Sequence, residues 1–145
     1  MEKTNIEFWE CNWQNIELPG IVNKKFSFER CWSKAIQKII KKEYNYKTIL
    51  EIGAAPGKWL VYFTKFGYKP TGIEYSPSGI EATKKNFKLN QIENYDLIPG
   101  DFFEITPNPQ YDVVMSLGFI EHFDNPDTVI ERHIKWLNPG GLLII

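Results

Sequence analysis

Ile49-Leu50-Glu51-Ile52-Gly53-Ala54-Ala55-Pro56-Gly57-Lys58 runs from an apolar strand through a turn of small residues into the start of a helix. Small residues let another group approach the backbone, and the unpaired N–H groups of a helix start can receive an anion. Upstream, Trp32, Ile36, Ile39 and Ile40 fall at helical spacing, with Lys34, Lys38, Lys41 and Lys42 between them, which predicts an amphipathic helix over Phe28–Glu43. Downstream the same alternation repeats. Thr48–Ile52 reads as a buried strand, Pro56–Phe66 as a helix stopped by Gly67, and Pro70–Glu74 as a second strand. Ser76 and Pro77 supply an N-cap and a first helical residue for a helix running toward Asn90. Strands follow at Asp96–Ile98 and Tyr111–Leu117, then a helix over Pro126–Leu137. Asn138-Pro139-Gly140-Gly141 stops that helix, and Leu142–Ile145 forms a fifth strand. Short apolar strands alternating with helices make parallel βαβ units, so the expected fold is α/β with a doubly wound, mainly parallel sheet.

Composition sets the outer bounds. The chain has 145 residues with 17 Lys and Arg against 18 Asp and Glu, enough for one domain and one core. Hydrophobic residues make up 43% and charged residues 24%, a globular balance that excludes a disordered chain. The near-neutral charge argues against a protein whose main task is to coat nucleic acid or acidic membrane. No apolar run exceeds five residues, Trp59 to Phe63, whereas a membrane span needs about 20. The opening residues lack the basic start and apolar core of a secretory signal, which points to a cytoplasmic protein. Cys11 and Cys31 are too few and too isolated for a disulfide framework or zinc site, and are expected to be buried or idle thiols; no metal site is assigned.

Three nucleotide-type ligands compete for the glycine turn. A triphosphate loop needs four residues between its glycines and a hydroxyl after its lysine; here three intervene between Gly53 and Gly57, and Trp59 follows Lys58. A dinucleotide fingerprint started at Gly53 meets Ala55 and Lys58 where it needs glycines. Glu51 favours a third choice, since a carboxylate at the strand end would repel a pyrophosphate and attract a cation. S-adenosylmethionine carries a sulfonium and an ammonium. Glu74 ends the second strand 21 residues after Gly53, where an acid can accept hydrogen bonds from ribose hydroxyls.

From about Thr48 to Ile145 the chain resembles the class I, Rossmann-like S-adenosylmethionine-dependent methyltransferases of small-molecule type. Glu51 through Gly57 is similar to the family motif E/D-x-G-x-G-x-G, with Ala55 in place of the middle glycine. Gly72-Ile73-Glu74-Tyr75-Ser76 resembles the ribose-binding motif, and Gly100-Asp101-Phe102 the adenine motif. Tyr111 through Leu117 and Gly118, followed by Phe119-Ile120-Glu121-His122, resembles the fourth-strand motif; Leu137 through Gly141 resembles the loop before the fifth strand. The resemblance implies strand order 3-2-1-4-5 and S-adenosylmethionine as cofactor. It implies cofactor-binding residues Glu51, Gly53, Ala54, Ala55, Gly57, Glu74, Tyr75, Ser76, Asp101, Phe102, Leu117 and Gly118.

Methyl transfer from a sulfonium is an in-line displacement with an activated leaving group, so positioning supplies much of the acceleration. Where the acceptor must lose a proton, His122 is the first candidate base, just beyond the fourth strand, with Glu121 second. The competing assignments are a loop-ordering histidine and a solvated helix-start charge. The glycine turn also resembles that of RNA ribose 2′-O-methyltransferases. Residues 24–47 hold eight Lys and Arg against two Glu, a stripe that could meet phosphates or form a solvated helix face. Those RNA enzymes carry an aspartate in the fourth-strand motif, whereas this chain has Ser116-Leu117-Gly118, which favours a small-molecule acceptor. No Asn/Asp-Pro-Pro-Tyr sequence occurs.

Residues 1–27 show no clear periodicity and are read as an aromatic cap; with the helix that follows they make an N-terminal part over residues 1–47, and residues 48–145 form the core of a single domain. Phe8, Trp9, Trp13, Phe26 and Phe28 are expected to cover the methyl-donor end and wall the acceptor pocket. Complete family members continue past the fifth strand into a helix and an antiparallel strand pair, so the chain reads as C-terminally incomplete. Leu142–Ile145 offers no polar face, which predicts pairing with a second copy at that edge, or exchange of an element between copies, with reduced activity or cofactor binding without turnover.

Overall fold

The computed structural model describes residues 4–40 and 47–145. Its five-stranded sheet has the order β3-β2-β1-β4-β5, built from β1 (Thr48–Ile52), β2 (Lys69–Glu74), β3 (Asp96–Pro99), β4 (Tyr111–Met115) and β5 (Leu137–Ile144). Every pairing is parallel. Helices are α1 (Ile6–Gln14), α2 (Ser27–Ile40), α3 (Lys58–Thr64), α4 (Pro77–Leu89) and α5 (Pro126–Ile134), with a 3₁₀ turn at Ile120–His122. Among the described residues no helix is long and apolar enough to cross a membrane.

Two buried clusters sandwich the sheet. Ile49, Val113 and Met115 pack with Ile36 of α2, Leu60 and Phe63 of α3, and Phe87 of α4. Leu50, Ile52 and Val114 pack on the opposite face with Val129 of α5, Trp136 and Phe102. The two-residue period of β1 separates these sets, and it puts Glu51 on the face covered by α3. A carboxyl is therefore buried where an apolar residue would otherwise sit.

Several expected boundaries shift. Helix α3 starts at Lys58, because Gly57 holds a left-handed φ of +76° and the chain cannot turn helically before it. Strand β4 ends at Met115, although Ser116 N–H still donates to Ile144 O. Helix α5 ends at Ile134 and β5 begins at Leu137, so Asn138-Pro139-Gly140-Gly141 lies within the strand. The N–H groups of Gln110 and Tyr111 capture Trp136 O, and pairing slips from Tyr111↔Leu137 to Val113↔Leu142; the prolyl-glycyl signal marks a bulge. Residues 1–27 contain a helix where no periodicity predicted one: Asn5 caps α1 by accepting from Phe8 N–H. The last residues assigned to the amphipathic helix, Lys41, Lys42 and Glu43, lie outside the described residues.

The fifth strand finds more cover than its sequence suggests. Leu142 packs against one cluster and Leu143 against the other, Ile144 is buried, and Ile145 is 37% exposed. Its side chains are thus largely covered within the chain, and what β5 presents outward is a strand edge. Of the two alternatives for Cys11 and Cys31, burial is ruled out: both are exposed free thiols.

Candidate functional site

The carboxyl ends of β1, β2 and β4 converge on two buried carboxyl groups in opposite hydrogen-bonding states. Glu74, 4% exposed, accepts from the backbone N–H groups of Ala55, Tyr75 and Ser76 at 3.2, 3.1 and 2.9 Å. Burial pushes its pKa up and these N–H groups pull it back. Glu51, 5% exposed, takes a backbone hydrogen bond from Leu60, and its buried Oε2 has no partner among the described residues. Burial pushes its pKa up to about 8, with Lys58 opposing and Glu74 adding to the rise. Lys58 cannot simply neutralise it, because Lys58 Nζ lies 2.6 Å from Glu29 Oε1.

The glycine turn lies beside this pair. Gly53 has φ +66°, and a Cβ there would stand 2.9 Å from the Phe119 ring. Gly57 serves packing: a Cβ on it would meet Phe87 Cε1 at 2.7 Å and Thr83 Cγ2 at 3.0 Å, both on α4. Ser76 is wholly buried and caps α4 by accepting from Gly79 N–H. Gly57 and Ser76 therefore shape the walls, whereas Gly53, Ala55, Glu74, Tyr75, Leu117 and Gly118 line a cavity of about 90 Å³. Ala54 lines the adjoining cleft.

At the end of β3, Asp101 and Phe102 border a smaller recess of about 30 Å³ shared with Glu74 and Phe119. Asp101 is exposed, and its Oδ1 accepts from Phe103 N–H at 2.7 Å. Phe102 is 3% exposed, edge-on to Phe119 and His133, with the Arg132 guanidinium 5.5 Å from its ring centre. It forms the floor of the recess and offers little free face.

Helix α1 roofs the cavity. Glu10 accepts from Ser78 N–H and its carbonyl accepts from Ser78 Oγ, both at 3.1 Å, which seats α1 on the start of α4. Trp9 and Trp13 stack with centroids 5.9 Å apart, and both line the cavity. Trp9 also stands edge-on to His122, and His122 Nδ1 lies 2.8 Å from Thr4 Oγ1. His122 lines the cavity, whereas exposed Glu121 lines the larger cleft. That cleft, about 1110 Å³, lies between residues 16–28 and the ends of β1, β4 and β5; Trp13, Phe26, Phe28 and Glu51 all contribute. Cavity and cleft share Gly53, Ala55, Leu117 and Gly118, so the two adjoin. Phe8 is 51% exposed and supports Trp9 from outside.

Thr4 and Glu10 are site-forming residues that no local motif announces, since each acts through a contact distant in sequence. Phe119 lies inside the fourth-strand motif, but only its approach to Gly53 reveals its part.

A family described as a methyltransferase domain matches residues 25–145. The chain belongs to this methyltransferase family. It is 31% identical over 114 residues to a ubiquinone biosynthesis O-methyltransferase of Rickettsia bellii, covering 73% of this chain and 45% of that protein. It is 27% identical over 97 residues to a protein of the same name from a Bradyrhizobium species, covering 67% and 38%. The chain thus spans less than half the length of these curated relatives. Among solved structures, a Methanococcus maripaludis chain assigned provisionally as an S-adenosyl-L-methionine-dependent methyltransferase superposes with TM-score 0.74 at 20% identity, covering 99% of this chain and 66% of that one. The glycopeptide N-methyltransferase MtfA, complexed with S-adenosyl-L-methionine, gives 0.64 at 23% identity, covering 77% and 52%. At these identities the likeness is one of fold. The residues of this methyltransferase domain fit the cofactor: a buried, unpartnered carboxyl oxygen on Glu51 suits a cationic group, and Glu74 can accept from hydroxyls.

Proposed function

We propose that this domain binds S-adenosylmethionine across the carboxyl ends of β1, β2 and β4 and directs its methyl group to a small-molecule acceptor in the large cleft. The observation that carries the reading is the unpartnered buried Oε2 of Glu51 beside a Glu74 held by three backbone N–H groups. An uncompensated buried carboxyl costs stability, and a cation placed against it recovers that cost. The bound cofactor supplies a methyl group already activated by a positive sulfur. Glu51 faces the methionine part, Glu74 the ribose hydroxyls, and Asp101 with Phe102 the adenine end, while the α1 tryptophans exclude water. His122 takes the proton of a hydroxyl acceptor; Thr4 at Nδ1 fixes the ring so that Nε2 serves as the base. Glu121 sits at the cleft mouth as an auxiliary acid or base. The O-methyltransferase relatives support an oxygen acceptor.

Calorimetric titration tests the cofactor assignment. S-adenosylmethionine should bind, and Glu74→Ala should weaken it at least tenfold; equal affinity in the variant removes the ribose role, and preference for NAD removes the whole reading. Screening phenolic and other small acceptors with radiolabelled methyl donor identifies the product. Deleting residues 1–27 should abolish turnover while some cofactor affinity survives. We also propose that the outer edge of β5 pairs with a second copy of the chain; light scattering at micromolar concentration checks it, and a stable monomer refutes it.

A further inference from the structure

Asn86 lies in the last turn of α4, wholly buried, and none of its amide bonding capacity goes to water. Its Nδ2 donates to Gly20 O at 2.9 Å and to Pro56 O at 2.8 Å. Its Oδ1 accepts from Gly20 N–H at 2.9 Å and from Asn90 Nδ2 at 3.0 Å. Both donors and both acceptor sites are filled, and the amide orientation is fixed, because carbonyls only accept and a backbone N–H only donates. Asparagine alone among side chains of this size meets that demand; aspartate has no hydrogen to offer either carbonyl.

The two segments it joins belong to different parts of the site. Pro56 belongs to the glycine turn, whose neighbouring Ala55 N–H donates to Glu74. Gly20 lies midway along the strap between α1 and α2, which walls the large cleft through Ile16, Ile21 and Val22. The approach is close: a Cβ on Gly20 would stand 3.2 Å from Pro56 Cγ and 3.3 Å from Asn86 Nδ2. Further along the strap, Asn23 N–H donates to Glu29, which also holds Lys58, the residue following the turn. Contacts therefore run from Glu74 through the turn and Asn86 to Gly20.

We propose that Asn86 is a positioning residue for methyl transfer, fastening the acceptor-side strap to the cofactor turn so that filling the turn orders the strap. The inference rests on the cofactor and cleft assignments made above. A ligand that restricts one segment lowers the entropy cost of ordering another tied to it. Buried, fully satisfied side-chain networks give such ties a single geometry.

Hydrogen exchange of the full chain, with and without S-adenosylmethionine, tests this. In the wild type, cofactor should slow exchange of residues 16–26 by about tenfold. Asn86→Asp should bind cofactor within about threefold of wild type, exchange the strap about tenfold faster, and lose the cofactor-induced slowing. Gly20→Ala attacks the same contact from the strap side without altering α4, so it keeps the test available if Asn86→Asp fails to fold; the same loss of slowing is expected. Strap exchange that still slows with cofactor in both variants overturns the coupling, even if its basal rate rises, because the tie is then merely structural. A wild-type chain that fails to bind S-adenosylmethionine overturns the cofactor reading. A wild-type chain that binds it without slowing the strap overturns the role of Asn86 alone.

Discussion

Thr4 Oγ1 stands 2.8 Å from Nδ1 of His122 across 118 residues of sequence, so the N-terminal segment fixes the ring that ends the β4 turn. General-base assistance contributes typically 10²–10⁴-fold. Accordingly, His122→Gln should lower transfer to a hydroxyl acceptor by about 10²-fold or more, with cofactor affinity within about threefold. Thr4→Val should cost less, about tenfold, because the imidazole remains and only its orientation loosens. Single-turnover transfer of labelled methyl from saturating cofactor measures both.

Glu51 should make cofactor binding release a proton. Its carboxyl, with a pKa pushed up to about 8, is largely protonated at neutral pH in the free domain. A cation beside it favours the ionised form, so affinity should rise with pH from 6 to 8, approaching tenfold per unit, and level off above. Calorimetry in buffers of different ionisation enthalpy counts the proton released; Glu51→Gln should bind more weakly and show neither slope nor release.

The same shift acts on the free fold in the opposite sense. Because the folded pKa lies above the ordinary 4.5, protonated Glu51 favours the fold, and stability falls as pH rises from about 4.5 to about 8. Urea denaturation should show that decline in the wild type and a flatter profile in Glu51→Gln.

His133 ties α5 to the end of β4. It is wholly buried, with Nδ1 2.7 Å from Val129 O and Nε2 3.0 Å from Ser116 Oγ. The carbonyl can only accept, so Nδ1 carries the hydrogen and Nε2 accepts from the serine. Burial holds its pKa below the ordinary 6.5, so its contribution is present above that pH and declines as pH falls below it. His133→Ala should cost about 2–4 kcal/mol from the cavity and the orphaned hydroxyl, read by chemical denaturation at pH 7.5.

Gly57 should tolerate no side chain. Its φ of +76° strains any L-residue, and a Cβ would sit 2.7 Å from Phe87. Gly57→Ala should destabilise the fold by about 2–4 kcal/mol, lowering the thermal midpoint before any cofactor effect is seen. Gly67→Ala, with nothing within 4 Å of its Cβ and the same kind of backbone strain, should cost less and separates clash from conformation.

The chain's own order of residues determined the five strands and the helices from α2 onward, boundaries aside, since caps such as Ser76 and periods of two and 3.6 act over a few positions. It likewise put Glu51 and Glu74 near strand ends, Glu51 one residue before the end of β1 and Glu74 as the last residue of β2. Only the tertiary structure decided that Glu51 keeps an unpartnered oxygen while Glu74 gains the N–H of Ala55 from the glycine turn, for Tyr75 and Ser76, its other two donors, simply follow it in sequence. Residues 4–26 were the least legible part. Helix α1 has no buried residue and weak amphipathicity, and it is held by Glu10 on Ser78 and Thr4 on His122. Asn138-Pro139-Gly140-Gly141 misled for the same reason, since hydrogen bonding to β4 overrode a local stop signal. Contacts such as Asn86 on Gly20, 66 residues apart, leave no local period or spacing behind, because the two residues meet only when the folded chain brings distant segments together.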